Sequence, residues 1–156
     1  NLNAMRNRHL KRLDRIFVPA PMYFITTCTA NRRPILATAA AHDTLQAEWR
    51  QALTRHGWAV GCYVIMPDHV HFFCRPSAQA KRLSAFIQRW KEWTAKSMIH
   101  NGHISPPIWQ EGFFDHLIRS DESYSQKWEY VRGNPVRAGL ATRPDDWEFQ
   151  GYIDFL

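Results

Sequence analysis

Two histidines separated by one residue, His69 and His71, lie in the run from Gly61 to Cys74. That run is rich in β-branched and aromatic residues and reads as extended. In a strand, side chains at i and i+2 point to the same face. Both imidazoles can therefore approach one divalent metal ion, while Val70 and Phe72 point the other way into a core. The same spacing also suits two histidines simply packed or hydrogen-bonded at a sheet surface. A second group is the segment from Tyr130 to Leu140. Asn134 follows Tyr130 by about one helical turn, so the two can share a face. The Asn134 amide oxygen is then available as a third ligand beside the imidazoles. Three protein ligands with open positions define a catalytic rather than a structural metal site. Pro135 disturbs helical geometry at Asn134, so this spatial relation is approximate.

The elements that must position these groups follow from periodicity. Tyr23 to Thr29 alternates and reads as a first strand. Between about Thr38 and His56, Ala41, Leu45, Trp49, Ala52 and Leu53 fall at helical spacing, and Gly57 stops the helix. Trp58 to Met66 and His69 to Arg75 read as a hairpin around Pro67-Asp68. Lys81 to about His100 is a second helix with a stripe of Leu83, Phe86, Ile87, Trp90 and Trp93/Thr94. Phe113 to Arg119 is a fourth strand. A third helix, capped by Ser120 or Asp121, runs to about Arg132 and is ended by Pro135. The order predicts an α+β, ferredoxin-like β-α-β-β-α-β antiparallel sheet with an additional C-terminal helix carrying Tyr130. Two helices cover one face, with Val70, Phe72 and Cys74 toward them. His69 and His71 face the free side, part of which the third helix can cover.

One domain is expected over residues 1–156, with a basic arm at 1–20 and a tail at 136–156 anchored by Trp147 and Phe149. Hydrophobic residues make up 45% and aromatics 13%, which argues against disorder. The net charge of +6 suits a polyanionic partner, though a generic basic surface is compatible with it. Cys28, Cys62 and Cys74 form no CxxC pair and lie in apolar runs, so neither a zinc ribbon nor a disulfide framework is indicated. A reducing cytoplasm fits, and no apolar stretch is long enough to span a bilayer.

His69-Val70-His71, the pattern Tyr-x-x-x-Asn-Pro-Val-x-x-Gly-Leu from Tyr130 to Leu140, and Trp109 to Arg119 occur in that order. Together they resemble the REP-associated tyrosine transposases, single-tyrosine members of the His-hydrophobic-His nuclease superfamily. The resemblance runs from about Tyr23 to Trp147. It implies a bacterial, cytoplasmic enzyme, monomer or homodimer. Such an enzyme cuts and rejoins single-stranded DNA at hairpins of repetitive extragenic palindromes, using Mg2+ or Mn2+. Carried over by motif, Tyr130 is the nucleophile, and His69, His71 and Asn134 are the metal ligands. A tyrosine attack leaves a 5′-phosphotyrosine and a free 3′-hydroxyl.

The other residues carry competing readings. Tyr23 and Tyr63 fit packing roles, and Tyr124 is the rival nucleophile. His116 shares a strand face with Phe114 and Ile118; it either lines the site or is a satisfied strand histidine. His9, His42, His56, His100 and His103 read as surface or capping residues. Trp109 suits either base stacking or the core. Arg32, Arg33, Arg82 and Arg89 are phosphate-contact candidates or plain solvated charge. The competing functions are a non-catalytic single-stranded nucleic-acid binder and a water-using nuclease.

Overall fold

The computed structural model describes residues 21–119 and 121–156, so the basic arm lies outside the described residues. The chain runs β1 (Met22–Cys28), α1 (Ala39–His56), β2 (Trp58–Ile65), β3 (His69–Pro76), α2 (Leu83–Gly102), β4 (Phe114–Ile118), α3 (Asp121–Arg132), α4 (Asn134–Arg137) and β5 (Gln150–Tyr152). The strands form one sheet in the order β4-β1-β3-β2-β5, and every pairing is antiparallel. The first four strands and α1 and α2 give the ferredoxin-like arrangement read from the sequence.

Alternation along β3 divides the molecule. Val70, Phe72 and Cys74 are buried with Leu45 and Trp49 of α1 and Phe86 and Trp90 of α2. Trp49 and Trp90 stack with centroids 5.3 Å apart, and Trp49 meets the Phe72 ring at 5.2 Å. On the other face, Phe24, Cys62, Val64, Phe73 and Ile118 lie beneath Val131, Tyr124 and Trp128 of α3. The third helix therefore covers part of the second face, and β2 is buried along its whole length. A register shift between Val60 and Tyr63 turns both of these residues toward α1 and α2.

Helix ends follow local chemistry. Thr38 caps α1 by accepting from the Ala41 backbone N–H, and Gly57 ends it in the left-handed region at φ 76°. In α2 it is Thr94, not Trp93, that completes the buried stripe; Trp93 is 45% exposed, flanked by Arg55 and Lys96 over its ring. Proline 135 does not end the helical path. After α3 stops at Arg132, α4 begins at Asn134 with Pro135 in its first turn, where its missing N–H is no loss.

The tail also departs from expectation. Gln150–Tyr152 adds a fifth strand beside β2, too short and glycine-interrupted to show periodicity. Trp147 and Phe149 are anchors as expected: Trp147 donates to the Ile65 carbonyl at 3.0 Å, and Phe149 is buried. All three cysteines are free and buried. His56 is no surface histidine; it is buried against Phe86. His42 is half-buried with Nε2 2.8 Å from the Tyr63 hydroxyl, which also receives Gln46 at 2.7 Å.

Truncating Phe72 to alanine opens a void between Trp49, Trp90 and Phe86 and is expected to cost about 3–5 kcal/mol in urea denaturation; a loss below about 1 kcal/mol would show that the two helices close over the gap. Burial holds the His42 and His56 imidazoles below their ordinary pKa. The unfolded chain then takes up protons below about pH 6.5 that the folded one refuses. Stability is thus fully present above that pH and drains as the pH falls beneath it. His56→Gln should flatten the slope of Tm between neutral and mildly acidic pH, and an unchanged slope would remove His56 from this account.

Candidate active site

Strand β3 presents His69 and His71 on the face away from α1 and α2, with ring centroids 4.8 Å apart. Each ring is held through its Nδ1. Carboxylate oxygens only accept, so the His69 Nδ1–H donates to Asp68 Oδ1, at 2.8 Å. That leaves a lone pair on Nε2. Arg32 Nε donates to the other Asp68 oxygen at 3.0 Å, and its Nη2 lies 3.4 Å from His69 Nδ1. Burial pushes the Asp68 carboxyl up, but hydrogen bonds from Arg32 and His69 outweigh it and hold the group below the usual range.

His71 pairs across the sheet with Thr26 of β1, whose hydroxyl lies 2.8 Å from Nδ1. With Nδ1–H donating to Thr26, the His71 Nε2 is also free. The Phe24 ring stacks on the His71 ring at 5.1 Å. Burial, reinforced by neighbouring groups that include Lys127 and Arg32, lowers the His71 pKa to about 3. His71 is therefore neutral at physiological pH, the form that ligates metal. A neutral His71 beside His69, each ring oriented through Nδ1, fits a divalent cation. Among the described residues no three His, Cys, Asp or Glu side chains gather to hold a metal ion.

Helix α3 brings the second group. Tyr124 meets the Phe73 ring edge-on at 4.7 Å, with Trp128 beside it. Lys127 Nζ sits 4.6 Å above the Phe24 ring, so Phe24 separates that ammonium from His71. One turn further on, Tyr130 is 62% exposed. Asn134 follows across the break at Gly133, and Arg137 joins the two. Its guanidinium carbon lies 4.1 Å from the Tyr130 ring centroid, and it donates to the Tyr130 carbonyl and to Asn134 Oδ1. Among the described residues no hydrogen bond joins Tyr130 or Asn134 to either imidazole.

The remaining sequence candidates separate by face. His116 of β4 lies opposite Phe24 and is exposed, so it lines the face of the histidine pair. Phe114 lies opposite Thr26 in the same row as His71. Arg32 reaches the site through Asp68. Arg33 instead braces a loop, donating to the Ser105 and Pro107 carbonyls at 2.6 and 2.9 Å. Arg82 and Arg89 belong to the N-cap and body of α2, across the sheet from the histidines, and Arg89 pairs with Glu92. Trp109 is a core residue whose Nε1 donates to Thr94. Tyr124 donates to Cys62 Sγ at 3.3 Å, and burial pushes its phenol pKa up, which leaves it unsuited to attack. Sequence reasoning missed Thr26, Asp68, Lys127 and Arg137. Asp68 had a signal, since it adjoins His69; Thr26 had none until the register was known.

A ferredoxin-like sheet has two histidines on one face and, over part of that face, a helix carrying an exposed tyrosine. Residues 18–134 match the family described as transposase IS200 like, and the chain belongs to that family. It is 26% identical over 139 residues to the REP-associated tyrosine transposase of Escherichia coli (strain K12), covering 88% of this chain and 80% of that protein. The structure of a REP-associated tyrosine transposase bound to a REP hairpin has the same fold, with a TM-score of 0.70 at 24% identity over 86% of this chain and 78% of that one.

Thr26→Val keeps the side-chain shape but leaves the buried His71 Nδ1 unpaired. It should destabilise the protein by about 1–3 kcal/mol in chemical denaturation. A change within about 0.5 kcal/mol would mean that His71 does not depend on this hydroxyl.

Proposed function

We propose that this protein is a metal-dependent endonuclease and strand transferase that acts on single-stranded DNA at palindromic repeat hairpins through a 5′-phosphotyrosine intermediate. The observation that carries the reading is the pair of imidazoles, each held by Nδ1, on the sheet face that α3 partly covers, where Tyr130 stands exposed. Membership in a transposase family supports the reaction class. The hairpin bound by the structural relative supports the substrate.

His69 and His71 would hold Mg2+ or Mn2+, with the Asn134 amide oxygen as third ligand. When bound, such an ion supplies Lewis acidity toward phosphate oxygens. Asp68 and Thr26 keep both Nε2 atoms available by occupying the Nδ1 positions. Arg32 neutralises Asp68 and adds positive charge beside the site. Tyr130 Oη attacks phosphorus and loses its proton; the bond to the 3′-oxygen breaks, and that oxygen leaves as a hydroxyl once protonated. A phenol with a pKa near ~10 is both a usable nucleophile and a leaving group, so the 3′-hydroxyl can reverse the step. The exposure of Tyr130 suits a nucleophile that must meet a polymer rather than a small molecule. No helix among the described residues is long and apolar enough to cross a membrane. Acting on the cell's own repeats, such an enzyme would work in the bacterial cytoplasm.

The test incubates the protein with single-stranded hairpin DNA from the host's repeats and Mn2+ or Mg2+, then runs a denaturing gel. A protein–DNA adduct is expected from the intact chain. It should be lost in Tyr130→Phe and in the His69→Ala/His71→Ala double variant. Asp68→Asn should weaken Mn2+ binding about 10–100-fold by calorimetry. Cutting that survives Tyr130→Phe without an adduct would point to a water nucleophile, and hairpin binding with no cleavage on any repeat would leave a binding module.

A further inference from the structure

Arg137 makes more directed contacts to the proposed reacting helix than any role in solvation requires. Its guanidinium carbon stands over the Tyr130 ring, 4.1 Å from the centroid. One nitrogen donates to the Tyr130 carbonyl at 2.5 Å and also to Asn134 Oδ1. A guanidinium can only donate, so the amide must turn its oxygen, not its nitrogen, toward Arg137. Asn134 Oδ1 has two lone pairs, and one remains after this bond.

An independent feature points the same way. Gly133 has φ −80°, which any residue tolerates, so backbone freedom does not require glycine there. A Cβ at Gly133 would lie 2.7 Å from Arg137 Nη1. The missing side chain at Gly133 is what gives the guanidinium its path across the break between α3 and α4.

We propose that Arg137 is a positioning residue: across Gly133 it fixes the ring of Tyr130 and the amide oxygen of Asn134 in one geometry. This rests on the reading of Tyr130 as nucleophile and Asn134 as ligand. Arginine suits the task because its planar fork stacks and donates in several directions at once, which a lysine ammonium cannot reproduce. Its effect falls on the covalent step rather than on hairpin affinity, because misplacing a nucleophile by about 1 Å can cost roughly 100-fold in rate.

The experiment uses the full chain labelled with 3-fluorotyrosine, with the Tyr130 resonance identified by its absence in Tyr130→Phe. Three variants are compared with the intact protein: Arg137→Gln, Arg137→Lys, and Gly133→Ala, which displaces the guanidinium without removing it. The 19F resonance of Tyr130 should move toward that of free fluorotyrosine in all three. Single-turnover adduct formation should fall by about 10–100-fold, with the hairpin Kd changed less than about threefold and no rescue by lysine. An unmoved resonance in Arg137→Gln would overturn the contact. Hairpin affinity falling in step with rate would make Arg137 a phosphate contact and overturn the positioning role, as would full rescue by lysine. Absence of any adduct from the intact protein would defeat the proposed nucleophile instead, and the resonance would still decide whether Arg137 holds Tyr130 and Asn134.

Discussion

Strand β3 is the constraint on which the other features depend. Its alternation cannot bury Val70, Phe72 and Cys74 under two helices without displaying His69 and His71 on the opposite face. A slip of one residue would put imidazoles into the tryptophan core and aromatic carbon into water. The site and the core are thus two readings of one register. The energy that holds the register comes from the Trp49, Phe72 and Trp90 cluster rather than from the histidines.

Two histidines on one strand face do not by themselves make an oriented pair. Cross-strand pairing with β1 places the Thr26 hydroxyl at His71, and the turn places Asp68 at His69. Burial then holds His71 neutral, and the neighbouring cations reinforce this. The charge around the pair is divided: Asp68 is offset by Arg32, while Lys127 contributes through the Phe24 ring that separates it from His71. A chain with net charge +6 can therefore suit a polyanionic partner while His71 stays neutral.

The helical side of the site is built differently. Helix α3 is anchored by Tyr124, Trp128 and Val131, which pack on the sheet, with Tyr124 also meeting Phe155, and Tyr130 is left in solvent. Proline 135 opens a new helical turn rather than ending one, which keeps Asn134 in helical conformation after the break at Gly133. The orientation of Tyr130 and Asn134 is accordingly set by local bonds to Arg137 and not by burial. The two halves differ in build: one is a paired strand, the other a helix end whose tyrosine faces water.

Much of this was legible in the chain alone. Period-two and period-3.6 patterns are local and repeat over many residues, so they determined the strands, the helices, the ferredoxin-like order and the opposed faces of Val70 and His71. The motif from Tyr130 to Leu140 placed tyrosine and asparagine together because helical spacing is local too. Short or paired features were not legible. Gln150–Tyr152 is a strand only because β2 offers it an edge. Arg33 and Arg82 look alike in sequence, yet one braces a loop and the other stands at the start of a helix on the far side of the sheet, with no side-chain capping bond. Thr26 is one threonine among several until β1 sets it against His71. The sequence determined which face each residue occupies, because that follows from backbone repeat; the tertiary structure decided which residues meet across elements, because register, edge pairing and burial depend on chain segments far apart in sequence.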